Sequence, residues 1–439
     1  MRPPRLDFSR RSFLRRIGVG ASVGLAGCVD SLLRRDPPAT PTESEIPRPD
    51  DAGYTYTHVT GNRYLDGRGD LDVVEPVDVE VPGTPVWVAG TRPYFGTAEA
   101  DTQWAVVLDD GSVHGFFAAA DGDVTSASIG PDRIDGPPVI SSEAPRVLTH
   151  PESSPDTHPF PLGDRLVTID EAGTVTVHPN PEDETHERRT FEIDALPDAR
   201  IVAKGRSLYV FADATTEYDH DVLGDSLEAG SIAVIDTDDW SVSRLSPPEG
   251  TVFEGIAPIV TSLERTDSTH AIATASDAQV GARVVAIDVE TGETLSGAPI
   301  GSGFRWRHPI AVEDFGPGDT QEIAAVRTPH IGGVAEFYRP TEGRLELVAT
   351  DEGDYSSHVL GSRNLDGGLA GKFAGFNQEV LALPTSDRTE IALLRRVEDG
   401  VRQNATLAVG GELTTNLAGA NKSYTVAAGR DGSVRFWIG

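Results

Sequence analysis

A glycine-containing turn that leads straight into a short alternating strand recurs along most of this 439-residue chain. LDDGSVHGFF, IDEAGTVTVH, LEAGSIAVID, HIGGVAEFY and GRDGSVRFWI are instances. Aligning the strands that follow such turns puts their starts at Ser112, Thr174, Ser231, Ala282, Val334, Glu390 and Ser433, at intervals of 62, 57, 51, 52, 56 and 43 residues. No strong helical period competes with this pattern, and the alternation of SIAVID and ARVVAID is that of half-buried strands. A repeat of this length cannot bury its own apolar face and must stack against its neighbours.

Four short runs are visible within one repeat: APIVTSL, HAIATAS, RVVAIDVETG and ETLSGAP. Four strands per repeat of this size specify the blades of a propeller. The expected fold is therefore all-β, a seven-bladed β-propeller of four-stranded blades. Its last blade lacks a fourth strand, because Ser433 to Ile438 runs into Gly439. YTYTHVT (54–60) alternates like a strand, so it is expected to complete that blade and close the ring, leaving no sheet edge open. An open pair of sheets is the alternative.

The propeller is expected over 54–439, after two segments of different character. Residues 9–15, SRRSFLR, resemble the twin-arginine export consensus, with Arg10 and Arg11 as the pair. The apolar stretch from Ile17 to Ala26 is shorter than the ~20 residues a membrane-spanning helix needs. Leu25-Ala26-Gly27-Cys28 resembles a lipobox. That resemblance implies removal of 1–27 as a signal peptide, a lipid on Cys28 and anchorage at the extracellular face of the cytoplasmic membrane. Residues 28–53, rich in Pro, Thr, Ser and acidic residues, read as a disordered tether. Cys28 is the one cysteine of the chain, so no disulfide framework exists.

Charge narrows the partners. Asp and Glu number 69 against 37 Lys and Arg, a net charge of −32. Binding of nucleic acid through a broad basic surface is disfavoured. Only Lys204, Lys372 and Lys422 are lysines, so 34 of the basic residues are arginines. An acidic, lysine-poor composition resembles that of haloarchaeal proteins. At about 1 M salt, charges are screened beyond ~3 Å and self-repulsion is weak.

HPIAVEDFGPGDTQEIAAVR (308–327) resembles an FG-GAP or VCBS repeat, and NLDGGLAGKFAGFNQEVLAL (364–383) and YLDGRGDLDVVE (64–75) are weaker copies. The resemblance implies a propeller and the possibility of Ca²⁺ in acidic loops, since a hard cation takes six to eight oxygens. Asp66, Asp70, Asp72, Asp314 and Asp319 are the candidate ligands. Lys372, Ala374 and Phe376 depart from the repeat pattern. AIDVETGETL (286–295) instead resembles quinoprotein blades, which implies a quinone-dependent dehydrogenase as one alternative. Neither resemblance decides function, because one fold hosts many.

In a propeller, the loops between second and third strands share an end with the connections between blades. That rule gathers Tyr218, Asp219, His220, Asp225 and Glu228 from a long loop at about 212–229. Arg305, Trp306, Arg307 and His308 join them, as do Arg327 and His330, then His358, Arg363 and Asn364, then Asp387 and Arg388. His150 and His158 are assigned to the same end. Arginine forks suit carboxylate, sulfate or phosphate, and Trp306 and Tyr218 are candidates to stack on a sugar. The expected ligand is anionic: an acidic glycan or a segment of a cell-surface protein. Nucleophilic catalysis lacks both a G-x-S-x-G elbow and a usable cysteine. His220, His308, His330 and His358 are candidate metal ligands without HExxH spacing. His220 with Asp219 or Asp225 is a candidate acid–base pair. A binding module is the reading these residues favour, with a carbohydrate-acting enzyme and an interaction scaffold as alternatives.

Overall fold

The computed structural model describes residues 52–55, 64–68, 70–71, 74–93, 101–142, 146–180, 187–218, 220–263, 268–303, 305–373, 379–420, 423 and 425–439. Arg10, Arg11, Cys28, Asp72 and Asp219 lie outside these residues, as does the expected tether up to residue 51; its last two residues, Ala52 and Gly53, belong instead to a strand, Ala52–Tyr54. The side chain of Asp66 lies outside them too, although the backbone of Tyr64–Arg68 is described.

Every regular element among the described residues is a β-strand. The strands follow one another as antiparallel meanders. Pro85–Thr91, Thr102–Leu108, Val113–Ala118 and Val124–Ala127 form one, and Arg307–Gly316, Thr320–Arg327, Gly333–Thr341 and Arg344–Tyr355 form another. Thr174, Glu390 and Ser433 open the third strand of their meanders. Ser112, Ala282 and Val334 fall within one residue of such a start, and Ser231 lies inside Glu228–Asp236. The cause is turn chemistry. Asp170 Oδ1 accepts from the backbone N–H of Ala172 at 2.9 Å and of Thr174 at 2.8 Å, while Gly173 takes a φ of 78°. Asp110 does the same for Ser112 at 2.9 Å beside Gly111 at φ 83°.

The strand beside Ser433–Ile438 is not 54–60. Val77–Glu80 takes that place, with Val79 opposite Val434. Tyr54 ends a separate strand, Ala52–Tyr54, paired with Val139–Ser141. Both stretches alternate, and charge separates them. Asp78 accepts from Arg435 at 2.7 Å and from Arg430 at 2.9 Å, cross-strand pairs that YTYTHVT cannot make.

First strands of successive meanders pack against one another: Val252–Ser262 on Arg307–Gly316, Leu369–Lys372 on Leu413–Gly419, and Leu413–Gly419 on Pro85–Thr91. The core lies between adjoining sheets. Ile259, Ile272 and Val284 of one sheet meet Val312, Ile323 and Tyr338 of the next. Trp104 meets Phe436 edge to face at 5.6 Å. Polar ties run through these layers. Glu322, fully buried, accepts from Arg339 at 2.7 Å and from Arg396 at 2.8 Å.

The 308–327 segment forms the hairpin of Arg307–Gly316 with Thr320–Arg327. A Cβ at Gly316 would stand 2.6 Å from a Glu322 oxygen, which is why glycine closes that strand. The 364–383 segment supplies Leu369–Lys372 and Val380–Pro384, paired antiparallel. YLDGRGDLDVVE does not repeat this hairpin. Its Tyr64–Arg68 runs parallel beside Leu369–Lys372 as a fifth strand.

Candidate functional site

The loop 216–227 folds inward between Ser207–Thr215 and Glu228–Asp236. Gly224, at φ 94°, makes the turn where a Cβ would stand 3.0 Å from the Gly361 carbonyl oxygen. Gly361 N–H donates to Val222 O at 3.0 Å, so this loop docks on the connection that follows Tyr355. Val222, Leu223, Ile256, Trp306 and Leu365 fill the space beneath. Arg363 fastens the junction from above. Its guanidinium meets Asp225 at 2.7 Å, Asp156 at 2.8 Å and Asp198 at 3.4 Å, carboxylates from three separate segments. Asn364 is engaged locally, its Oδ1 accepting from Asp366 N–H at 3.1 Å.

On this base, His220, His330 and His358 come together with Tyr218, Trp306 and His308. His220 Nδ1 hydrogen-bonds Glu254, whose other oxygen accepts from the Ser276 hydroxyl. Tyr218 lies edge-on to His220, with ring centres 5.6 Å apart. Trp306 stacks on His308 at 5.0 Å and meets His358 edge to face at 5.2 Å. His308 Nδ1 bonds the Ser357 hydroxyl at 2.9 Å. His358 Nε2 donates to the Ser362 carbonyl at 2.8 Å, which leaves the buried Nδ1 without a partner. His330 Nδ1 and Trp306 Nε1 are also buried and unpaired.

Burial favours the neutral form of His358 and His330. Burial lowers His358 to about 4, and His330 and His220 reinforce the effect. Burial, with His220 nearby, also lowers His330. Carboxylates surround the cluster. Glu228 is raised well above its usual range by burial and by Glu254, Asp225 and Asp198. It has no side-chain partner among the described residues. Burial and Asp225 push Asp198 up to about 6, against the pull of Arg200 and Arg363. Burial, Glu254 and Glu228 raise the Tyr218 hydroxyl.

Three of the other arginines are engaged elsewhere. Arg307 and Arg327 both hold Glu336, each at 2.8 Å, and Arg388 pairs with Glu412. Arg305 is exposed and has no ion pair among the described residues. Arg388, Asn364 and His358 line a depression of about 240 Å³ together with Ser357, Thr414 and Thr415. Tyr218 and Trp306 are buried, at 4% and 1% exposure, and present no open ring for a sugar. His150 and His158 stand apart from the cluster. His150 stacks on His178 at 3.8 Å, and His158 packs under Tyr54 at 5.3 Å. Asp314 is half-buried and Asp319 exposed on their hairpin. Among the described residues no three metal-ligating side chains stand within reach of one ion.

Glu254, Asp198 and Asp156 were not expected here. Glu254 had a signal, as the lone acid in the otherwise apolar strand VFEGIAPIVTS. Asp156 and Asp198 sit in turn-rich connections where an acid ordinarily caps its own backbone.

No protein-family model matches the chain, and no curated protein matches it. Solved structures similar to the chain share little sequence identity with it. The Swd1 β-propeller domain of Myceliophteria thermophila is 11% identical, with a TM-score of 0.38 over 82% of this chain and 100% of that one. The WD40 β-propeller domain of Doa1 is 9% identical, with a TM-score of 0.39 over 88% and 96%. The quinohemoprotein alcohol dehydrogenase ADHIIG of Pseudomonas putida HK5 is 10% identical, with a TM-score of 0.49 over 89% and 81%.

Proposed function

We propose that this protein is an exported, lipid-anchored β-propeller that acts as a binding module outside the cell, of the haloarchaeal type its composition resembles. The seven strand starts that open or enter third strands support seven blades. Pairing of Val77–Glu80 with Ser433–Ile438 supports closure by a strand from the N-terminal side. Anchorage rests on Arg10, Arg11 and Cys28.

One observation carries the ligand site. Three histidines from three separate segments converge over buried, unpaired polar atoms. The sign of the ligand follows from the surrounding charges. Arg307, Arg327, Arg363 and Arg388 already meet carboxylates, while Glu254, Asp225 and Asp198 crowd Glu228 with negative charge. A ligand presenting positive charge suits this cluster better than the acidic glycan that a surplus of arginine suggested. A cationic group on a cell-surface protein segment is the natural form. An acid–base enzyme is the second reading, because Glu254 orients His220 as an orienting carboxylate does in general-base catalysis.

A thermal-shift series on the full chain in concentrated salt tests the site. Organic polyamines are expected to raise the melting temperature, and His330→Gln to abolish the rise. A rise with acidic glycans that Arg305→Ala removes would reverse the proposed sign. Fractionation tests the anchor: Cys28→Ser is expected to move the protein from membrane to soluble fraction.

A further inference from the structure

We infer that the turns 328–331 and 359–362 form a docking surface for a polypeptide segment that presents aliphatic side chains flanked by arginine or lysine. The inference deepens the reading of the loop cluster as a site for a cationic protein segment and rests on it. Among the described residues the exposed large aliphatic side chains are Val280, Ile331, Leu347, Val359 and Leu360. Ile331 is 72% exposed, Leu360 63% and Val359 40%. These three stand on adjoining turns, since Ile331 follows His330 and Val359 follows His358, and the two rings are centred 5.9 Å apart. A single exposed aliphatic is ordinary on a protein surface, whereas a group of them marks a contact face.

Hydrogen bonds fix both turns. Ile331 N–H donates to Thr328 O at 3.0 Å, and Ser362 N–H to Val359 O at 3.0 Å. Leu360 and Gly361 are the corners of the second turn, with Gly361 at φ 77°. Gly361 N–H donates to Val222 O at 3.0 Å, so this turn is anchored before a partner arrives and less freedom is lost on binding. Val359 also borders the depression of about 240 Å³, beside Pro384 and Leu413, which gives one partner side chain a place to insert.

The rim of this face is acidic. Exposed Asp221 precedes Val222, and exposed Asp354 has an oxygen 3.5 Å from where a Gly332 Cβ would stand. Glu412 pairs with Arg388, which lines the depression, and Asp387 is exposed next to Arg388. Arg363 and Arg388 are taken up by carboxylates, and exposed Arg305 is outnumbered by these four acids. A segment whose basic residues flank its aliphatics complements such a face. A second copy of this chain, at a net charge of −32, and an anionic membrane surface would both meet the rim with like charge.

A displayed library of random short peptides, selected on the full chain in concentrated sodium chloride, tests the surface. Enriched peptides are expected to place aliphatic residues beside basic ones. Their Kd, read by fluorescence anisotropy, should rise at least about 10-fold with Ile331→Ser and with Leu360→Ser, because each removes an aliphatic contact. Both positions are exposed, so the melting temperature should stay unchanged. Leu347→Ser, on the strand Arg344–Tyr355, should leave the Kd as it is. Enriched peptides without aliphatic–basic pairs overturn the inference, as does a Kd that both Ile331→Ser and Leu360→Ser leave unaltered. Sedimentation of the Cys28→Ser chain with phosphatidylglycerol vesicles, abolished by Leu360→Ser, would assign the face to a membrane and overturn it too. If no peptide is enriched while polyamines still raise the melting temperature, the docking surface falls and the binding module stands. If both fail, both fall.

Discussion

Arg396 reaches Glu322 across 74 residues of sequence and donates to it from Nε at 2.8 Å inside the protein, where Glu322 has no solvent exposure. Arg339 adds a second contact at 2.7 Å. The pair joins two adjoining meanders. Removing one partner leaves an uncompensated buried charge, and such changes cost about 3–5 kcal/mol. Glu322→Gln is therefore expected to lower the urea midpoint sharply. Glu322→Gln combined with Arg396→Met should recover much of the loss, because the orphaned guanidinium is gone. Equal midpoints for the single and double variants would show that the tie is not energetically coupled.

Asn416 makes a comparable seam without charge. Its Oδ1 accepts from Val88 N–H at 2.9 Å, and its Nδ2 donates to Val88 O at 2.7 Å and Thr55 O at 3.1 Å. One amide thus satisfies both backbone groups of a residue on the neighbouring sheet. Asn416→Ala is expected to destabilise by roughly 1–3 kcal/mol, since buried peptide groups lose their partners. Hydrogen exchange at Val88 should accelerate more than at Val106 on the next strand. Uniform acceleration at both would point to global loosening instead of a local seam.

Gly333 supplies a steric test near the histidine cluster. A Cβ there would lie 1.9 Å from the Tyr355 carbonyl oxygen and 3.1 Å from a Val326 methyl. Backbone cannot yield as a flexible side chain can, so Gly333→Ala must part the strands carrying Gly333 and Tyr355. About 1–3 kcal/mol of destabilisation is expected. Because Gly333 ends the turn that carries His330, ligand binding should weaken in step. Unchanged stability measured by urea denaturation would contradict the close approach.

The repeat was legible in sequence because each turn carries its own local chemistry. Asp110 and Asp170 hydrogen-bond residues two to four positions ahead, so turn and strand start are written together. The strand that pairs with Ser433–Ile438 was not legible. YTYTHVT and Val77–Glu80 both alternate, and the choice between them depends on Asp78 meeting Arg430 and Arg435 more than 350 residues away. The candidate site divides in the same way. Loop topology grouped His220, His330 and His358, whose side chains lie near one another in the fold. Sequence gave no means to see that Glu336, Glu412 and the three aspartates around Arg363 would engage the arginines. Burial of Trp306 and Tyr218 was equally hidden, since an aromatic in a loop reads alike whether it faces solvent or fills a core.

Two buried groups contribute to acid stability in opposite directions. His158 is enclosed and donates from Nδ1 to the Pro159 carbonyl at 3.1 Å. Burial and the Arg200 charge lower it from 6.5 to about 3. As pH falls from 6.5 towards 3, the unfolded chain takes up a proton that the folded chain refuses, so His158 makes stability fall through that window. Asp198 is raised from 3.8 to about 6 by burial and by Asp225. Between those values the folded chain holds a proton that the unfolded chain has released, so Asp198 makes stability rise as pH falls. The two effects oppose each other between about pH 4 and 6. Of these two, only the histidine acts from about pH 6.5 to 6, and below about pH 4 its loss is not offset by Asp198. His158→Gln is expected to flatten the decline of the urea midpoint on acidification. Asp198→Asn should steepen it between about pH 6 and 4 and leave the region below about pH 3.5 nearly unchanged. Midpoints that follow the same pH curve in wild type and both variants would remove these two residues from the account.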